Sequence, residues 1–313
     1  MTDRLRTDLL HLGVIAALVV LFLTLPTYYA GNLSRIMVLA IYAIGYNLLF
    51  GYTGLLSLGH AMFFAAGMYG YGLTAQLAGV PALPAFALGI LAGAALGLVV
   101  GALALRTAGV AFMIVTLMFA QAAYLTILHF GTYTRGDEGF VVPSEARIVF
   151  GIDLSGETER FAAALILFAL VLLATGRLVR SRLGRTLVAI RENEERTRML
   201  GYDATRLKLI AITLSGALSG LAGAAYALLF GYVGASFAAV PYSIFPLLWV
   251  LLGGAGTTIG PLIGVFFMFY LIDTASGITL AYLLIVGVAL VLLTLFAPQG
   301  IAGLIKRRLP WLP

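Results

Sequence analysis

Long apolar runs, separated by short polar or glycine-rich breaks, recur along nearly the whole chain. A helix needs about 20 apolar residues to cross the hydrocarbon core of a bilayer. Runs that reach or approach that length lie at 9–29, 34–53, 56–77, 82–105, 108–130, 161–179, 208–231, 243–256, 258–275 and 278–297. The pattern predicts an all-α, polytopic transmembrane helical bundle of eight to ten spans, forming one domain over 1–313. Two of these candidate spans, 243–256 and 258–275, are short, and the alternative is one broken helix or a re-entrant pair. The first run has a basic flank, Arg4 and Arg6, as a signal peptide would. Its apolar stretch from Leu9 to Leu25 is long for such a segment, and Tyr28 and Tyr29 stand where cleavage prefers small residues. It is expected to be a retained helix.

Composition agrees with this reading. Of the 313 residues 62% are hydrophobic and 10% charged, and the mean hydropathy is +1.05. A soluble domain carries about a quarter charged residues and a mostly polar exterior, so a soluble enzyme and a disordered chain are both excluded. Cysteine is absent, which removes disulfides, thiolate metal sites and thiol catalysis. The net charge of +6 does not point to nucleic acid, because the basic residues lie between apolar spans. Segment 177–208 holds nine Lys/Arg and four Asp/Glu, whereas 131–160 holds three Arg and six acids. Basic loops stay on the cytoplasmic side, so 180–207 is expected inside and 131–160 outside. Arg106 and Lys306-Arg307-Arg308 fit the same sidedness, with both termini cytoplasmic. Arg35 falls on the outer side and is expected to snorkel to the lipid headgroups.

Two segments look alike. Gly51-Tyr52-Thr53-Gly54 falls at the cytoplasmic end of one span, and Gly231-Tyr232-Val233-Gly234 at the outer end of another. Such a pair is expected of inverted repeats, which place a substrate path near the midplane. It is equally expected wherever Gly and Tyr close helices at an interface. Gly89, Gly93, Gly97 and Gly101 form a ladder on one helix face, with Gly216, Gly220 and Gly223 close to the same spacing. These predict close helix packing.

Candidate chemistry is sparse. No Walker A motif surrounds the two lysines, Lys208 and Lys306, and His11, His60 and His129 lie far apart, so no metal ligand set and no catalytic residue is assigned. Ionisable groups within spans are functional candidates, and His60, in Ser57-Leu58-Gly59-His60, is the foremost. Asp273 and His129 sit at span ends and read as interfacial. Thr186 to Leu200 reads as one short helix ended by Gly201, with Glu192/Arg196 and Glu194/Arg198 as i,i+4 pairs. Such a helix on the membrane face suits either docking in a partner's groove or a solvated connector.

Asn47-Leu48-Leu49-Phe50-Gly51-Tyr52-Thr53-Gly54-Leu55-Leu56-Ser57-Leu58-Gly59-His60 resembles the signature of branched-chain amino acid ABC transporter permeases of the LivM type. Ala189-Ile190-Arg191-Glu192-Asn193-Glu194 with Gly201, the run Lys208 to Gly223, and Gly253-Gly254-Ala255-Gly256-Thr257 with Gly260-Pro261 resemble further segments of that family in the same order. The resemblance implies a bacterial inner-membrane subunit of an ATP-driven importer of branched-chain amino acids or a related solute such as urea, an amide or an organic acid. Its partners would be a second, LivH-like permease, two cytoplasmic ATPases carrying ATP and Mg, and a periplasmic substrate-binding protein. This chain itself would hold no cofactor. Arg191, Glu192, Asn193, Glu194 and Gly201 would couple to the ATPases. Asn47, Ser57 and His60 are the candidates for the translocation path. The outer loop departs from the family pattern at Arg135-Gly136-Asp137-Glu138, and Arg135, Asp137 and Glu138 are candidates for docking the binding protein. The competing reading is a self-sufficient ion-coupled carrier or channel using Asp273 or His60. A membrane-embedded enzyme is disfavoured by the lack of a catalytic constellation.

Overall fold

The computed structural model describes residues 3–279, 281–296 and 299–308. Its helices are α1 (Asp3–Thr24), α2 (Thr27–Asn47), α3 (His60–Leu77), α4 (Ala82–Ala104), α5 (Val110–His129), a single turn α6 (Gly131–Thr134), α7 (Glu157–Arg180), α8 (Arg182–Glu192), α9 (Glu194–Met199), α10 (Ala204–Phe230), α11 (Val240–Gly253), α12 (Gly260–Ile278), α13 (Tyr282–Phe296) and α14 (Gly300–Arg308). Every apolar run of the sequence therefore contains a helix. Seven helices are long and apolar enough to cross a membrane among the described residues, and α11 is apolar but short. The protein is a multi-pass helical membrane protein.

α2 is the axis of the bundle. It is buried along almost its whole length, packed by α7, α10, α11 and α12. Its aromatic side chains tie the centre together: Tyr42 lies 4.9 Å from Phe64 of α3 and 5.9 Å, stacked, from Tyr242 of α11. Around it α3, α4 and α10 meet backbone to backbone. A Cβ on Gly93 would stand 2.6 Å from the Gly216 carbonyl oxygen and 2.7 Å from the Gly220 Cα. The glycine ladders are thus a packing device, allowing an approach that any side chain would block.

The basic segment α8–α9 marks one face of the bundle, and the start of α1 and α14 lie on it as well: Asp8 pairs with Arg180 at 2.6 Å, and Gly300 abuts Gly254. On the opposite face the 131–156 connection is structured. Its strand β1 (Phe140–Val141) pairs antiparallel with strand β4 (Tyr232–Val233), with Phe140 opposite Val233, while β2 (Ile148–Val149) and β3 (Ile152–Asp153) form a hairpin. Arg147 donates from Nε to the Leu228 carbonyl at 2.9 Å and from Nη2 to the Leu229 carbonyl at 2.6 Å. It thereby satisfies two of the carbonyls left open at the C-terminus of α10.

Two crossings are only part helix. α2 ends in a π-helical turn, Leu48–Tyr52; residues 53–59 then run back without helix, and α3 begins at His60. His60 contacts Ser215, which stands about 17 Å from the start of α10 and about 22 Å from its end at 1.5 Å per residue. α3 therefore starts near mid-depth. After α10 the chain turns at Gly231 (φ +68°), descends through 232–239, and starts α11 beside α3: Ser243 Oγ accepts from the Ala61 backbone N–H at 3.0 Å. α3 runs from the middle to the far face and α11 from the middle to the basic face. This opposed pair gives structural form to the inverted relation suggested by the two Gly-Tyr-x-Gly segments. The glycines are not equivalent, however: the left-handed residue is Gly54 (φ +77°), the fourth, in the first motif and Gly231, the first, in the second. The 243–256 and 258–275 runs are two separate helices, α11 and α12, each belonging to its own crossing.

Candidate functional site

Two junctions gather the residues singled out in the sequence. The first surrounds the break before α3. Non-helical backbone at membrane depth is tolerated only where protein satisfies it, and here several elements contribute. The Leu58 N–H reaches Thr116 Oγ1 of α5 at 3.2 Å, and the Gly59 N–H reaches Ser57 Oγ at 3.2 Å. Tyr46 donates from its hydroxyl to the Ser57 carbonyl at 3.0 Å. His60 is fully buried, flanked by Tyr46 (4.6 Å between centroids) and Phe63 (5.4 Å). Its Nε2 lies 2.8 Å from Ser215 Oγ, which in turn lies 2.6 Å from the Gly45 carbonyl. A carbonyl can only accept, so the serine hydroxyl donates to it, and Nε2 is assigned as the protonated nitrogen that donates to Ser215. Nδ1 finds no hydrogen-bond partner among the described residues.

The second junction lies on the basic face. Asn47, at the end of α2, donates from Nδ2 to the Thr257 carbonyl at 2.8 Å and accepts at Oδ1 from the Gly256 N–H at 2.9 Å. It thus stands apart in place from Ser57 and His60: its side chain holds the 254–259 loop onto α2. Arg191 of α8 donates from Nη1 to the Gly51 carbonyl, and its stem lies against Gly54. One residue of the basic segment therefore touches both the π-helical turn and the chain just past it.

The segment expected as one helix over 186–200 is instead two. Asn193 adopts an extended backbone (φ −159°, ψ 101°) and its Oδ1 accepts from the Arg196 N–H at 2.9 Å, ending α8 and capping α9. This break removes the i,i+4 relation of Glu192 and Arg196, and no ion pair joins them among the described residues. Glu194 does pair with Arg198 at 2.8 Å, and also reaches Lys208 of α10. Partial burial pushes the Glu194 pKa up; the hydrogen bonds from Lys208 and Arg198 outweigh this and hold it below its ordinary value. Gly201 follows the last turn with φ +87°, as expected of a residue just past a helix end. Leu187 and Ile190 are buried against the bundle, while Met199, Leu200 and Tyr202 are 85%, 72% and 51% exposed.

On the far face Arg135 is an exposed left-handed residue (φ 61°), Asp137 accepts from Tyr124 at 3.3 Å, and the Glu138 carbonyl accepts from Tyr232 at 3.1 Å. Asp273 accepts from Tyr28 at 2.9 Å in an exposed setting, which suits its interfacial reading. Arg35 lies over the ring of Phe230 at 5.3 Å. Sequence reasoning missed Ser215, Ser243, Thr116 and Arg147, whose partners lie far away along the chain.

Residues 28–296 match the sequence profile of the branched-chain amino acid transport system / permease component family. The chain belongs to this family. Among its relatives, the high-affinity branched-chain amino acid transport system permease protein LivM of Salmonella typhimurium is 29% identical over 297 residues, covering 87% of this chain and 69% of the relative. The probable branched-chain amino acid transport permease protein LivM of Methanocaldococcus jannaschii is 30% identical over 234 residues, 68% and 67% of the two chains. The ribose import permease protein RbsC of Escherichia coli is 27% identical over 288 residues, 86% of each. No solved structure matches the chain. The family match spans both half-helices and both junctions, so the broken helices and the α8–α9 segment all lie within the matched residues.

Proposed function

We propose that this chain is the transmembrane permease subunit of an ATP-driven ABC importer. It moves a branched-chain amino acid, or a related small organic solute such as urea, an amide or an organic acid, across the inner membrane by alternating access. Relatives named for branched-chain amino acids and for ribose support a small solute. The excess of Lys/Arg in 177–208 supports a cytoplasmic α8–α9, and in this reading both termini lie on the same side.

The observation that carries the reading is the construction of α8–α9. Its inward side is anchored by Leu187, Ile190, Arg191 and Glu194, and its outward tip presents Met199, Leu200 and Tyr202 among charges. A rigid, anchored element with an apolar tip suits insertion into a groove of another protein. ATP binding and hydrolysis belong to two cytoplasmic ATPases, which this tip would engage. A second, LivH-like permease would complete the path, and a periplasmic binding protein would deliver the solute at the face of Arg135, Asp137 and Glu138. In this reading the chain is not an enzyme, and its cycle switches the two half-helices between outward- and inward-open arrangements. The ion-coupled alternative lacks support in the geometry, since Asp273 is held by Tyr28 at an exposed helix end.

Affinity purification of the full chain from native membranes in mild detergent tests the proposal. P-loop ATPases and a second permease are expected with it. Leu200→Asp should strip the ATPases while leaving the second permease bound. Recovery of the chain alone, moving solute in liposomes without ATP, would overturn the reading.

A further inference from the structure

A groove runs between α1 and α12 from the basic face towards the middle of the bundle. Its lower part is a cavity of about 490 Å³ reached by Leu10 and Val14 of α1, Leu262 and Ile263 of α12, and Arg180 of α7. Its upper part, about 320 Å³, shares Val14, Leu262 and Ile263 and continues to Leu21 and Phe267. The two parts form one apolar trough. From Thr7 to Leu21 it follows about 21 Å of α1, somewhat more than the ~15 Å of one leaflet's hydrocarbon. At the mouth, Arg177, Arg180, Asp8 and Ser181 line a further cavity of about 300 Å³. Arg180 belongs to both the trough and the mouth, so the polar and apolar spaces connect.

The charge at the mouth selects the occupant. Asp8 holds Arg180 at 2.6 Å, while Arg177 is exposed and makes no ion pair among the described residues. Among the described side chains lining the mouth, two guanidiniums face one carboxylate, which leaves the charge of Arg177 unmatched at the end of an acyl-sized trough. A protein helix packed over this space without an acid of its own would bury Arg177 with no counter-charge, which is costly. A zwitterionic headgroup would bring an ammonium towards two arginines. A phospholipid with a single negative charge satisfies both ends: chain in the trough, phosphate at the arginines. Basic pockets between helices at the cytoplasmic interface bind anionic headgroups in this manner.

We propose that the groove between α1 and α12 binds one anionic phospholipid, with its phosphate at Arg177 and Arg180. The lipid fills the space beside His11, whose Nε2 meets Thr258 Oγ1 at 3.0 Å, and so braces α1 against the loop before α12. The test is native mass spectrometry of the full chain, delipidated in detergent and titrated with either phosphatidylglycerol or phosphatidylethanolamine. One phosphatidylglycerol should be retained in clear preference to phosphatidylethanolamine. Arg177→Gln, at an exposed position that leaves folding intact, should weaken phosphatidylglycerol retention about fivefold. Val14→Trp, which fills the trough, should weaken retention of both lipids. Equal retention of the two lipids by the parent chain would overturn the proposal. Unchanged phosphatidylglycerol retention in Arg177→Gln would overturn it as well.

Discussion

Replacing Asn47 by leucine separates two accounts of that residue. As a lining residue of a solute path, Asn47 would contribute little to stability and much to transport. The structure instead shows its amide spent on the backbone of 256–257, at 2.8 and 2.9 Å, with the side chain 2% exposed. Leucine keeps the volume and removes both partners. Leaving one buried polar group unpaired costs about 1–3 kcal/mol. Two groups are stranded here, but Gly256 and Thr257 are only half-buried, so the lower part of the range applies, about 2–4 kcal/mol in total. At about 2 °C per kcal/mol for a chain of this size, the loss corresponds to a drop in melting temperature of about 4–8 °C. Heating the protein in detergent and following the surviving monodisperse fraction by size-exclusion chromatography reads this directly. Asn47→Asp should also melt early: it keeps an acceptor for Gly256 but sets a carboxylate oxygen against the Thr257 carbonyl. A melting temperature within about 1 °C of the parent for Asn47→Leu, together with lost transport, would refute the clamp and restore the path-lining role.

Gly93→Ala should destabilise by about 1–3 kcal/mol through overpacking against Gly216 and Gly220. Gly13→Ala, on α1 with nothing within 4 Å of the new methyl, should be neutral or stabilising by up to about 1 kcal/mol. Equal melting curves for the two variants would contradict the packing account. Glu194 offers a pH test. Its pKa is lowered in the folded protein, so its contribution is complete above the ordinary carboxylate range and is lost as pH falls through the lowered value. Amide protection factors over 194–208, with the intrinsic pH dependence of exchange divided out, should therefore fall on acidification in the parent, whereas Glu194→Gln should show lower protection at neutral pH already and no such acid step.

The helices were legible because lipid as solvent makes apolar length nearly sufficient evidence for a span, and all ten runs contain one. The break at 53–59 was hidden by the same logic. Leu56 and Leu58 read as the start of a span, which they can be without being helical once Tyr46, Thr116 and Ser57 satisfy the backbone of 57–59. Asn193 was misread because salt-bridge spacing favoured a continuous helix, while its side chain competes for backbone donors and makes a better cap than an interior residue. His60 stood out in the sequence, yet its partner Ser215 lies 155 residues away, and only the packing of α3 on α10 brings them together. The two-residue pairing of β1 with β4 is too short to leave any periodic signal.

The two junctions are mechanically joined, and this constrains how α8 can act. Arg191 grips the Gly51 carbonyl and lies against Gly54, so a shift of α8 bears on the π-helical turn from which 53–59 leads to His60. Asn47, one turn earlier on α2, holds the loop that opens α12. A displacement of α8 is therefore shared between the start of the broken segment and the start of α12. At the other end of that segment, the Ala61 N–H bonds to Ser243, so movement of α3 is felt at once by α11. The half-helices cannot move independently while that bond and the Phe64–Tyr242 contact at 5.2 Å persist. Packed elements of this kind switch between discrete arrangements rather than deform continuously, and the break before α3 is where α8, α2, α10 and α11 all hold the same few residues. In the proposed reading, motion of α8 would reach mid-depth through Arg191 on Gly51, Tyr46 on Ser57, Ser215 on His60 and Ser243 on Ala61.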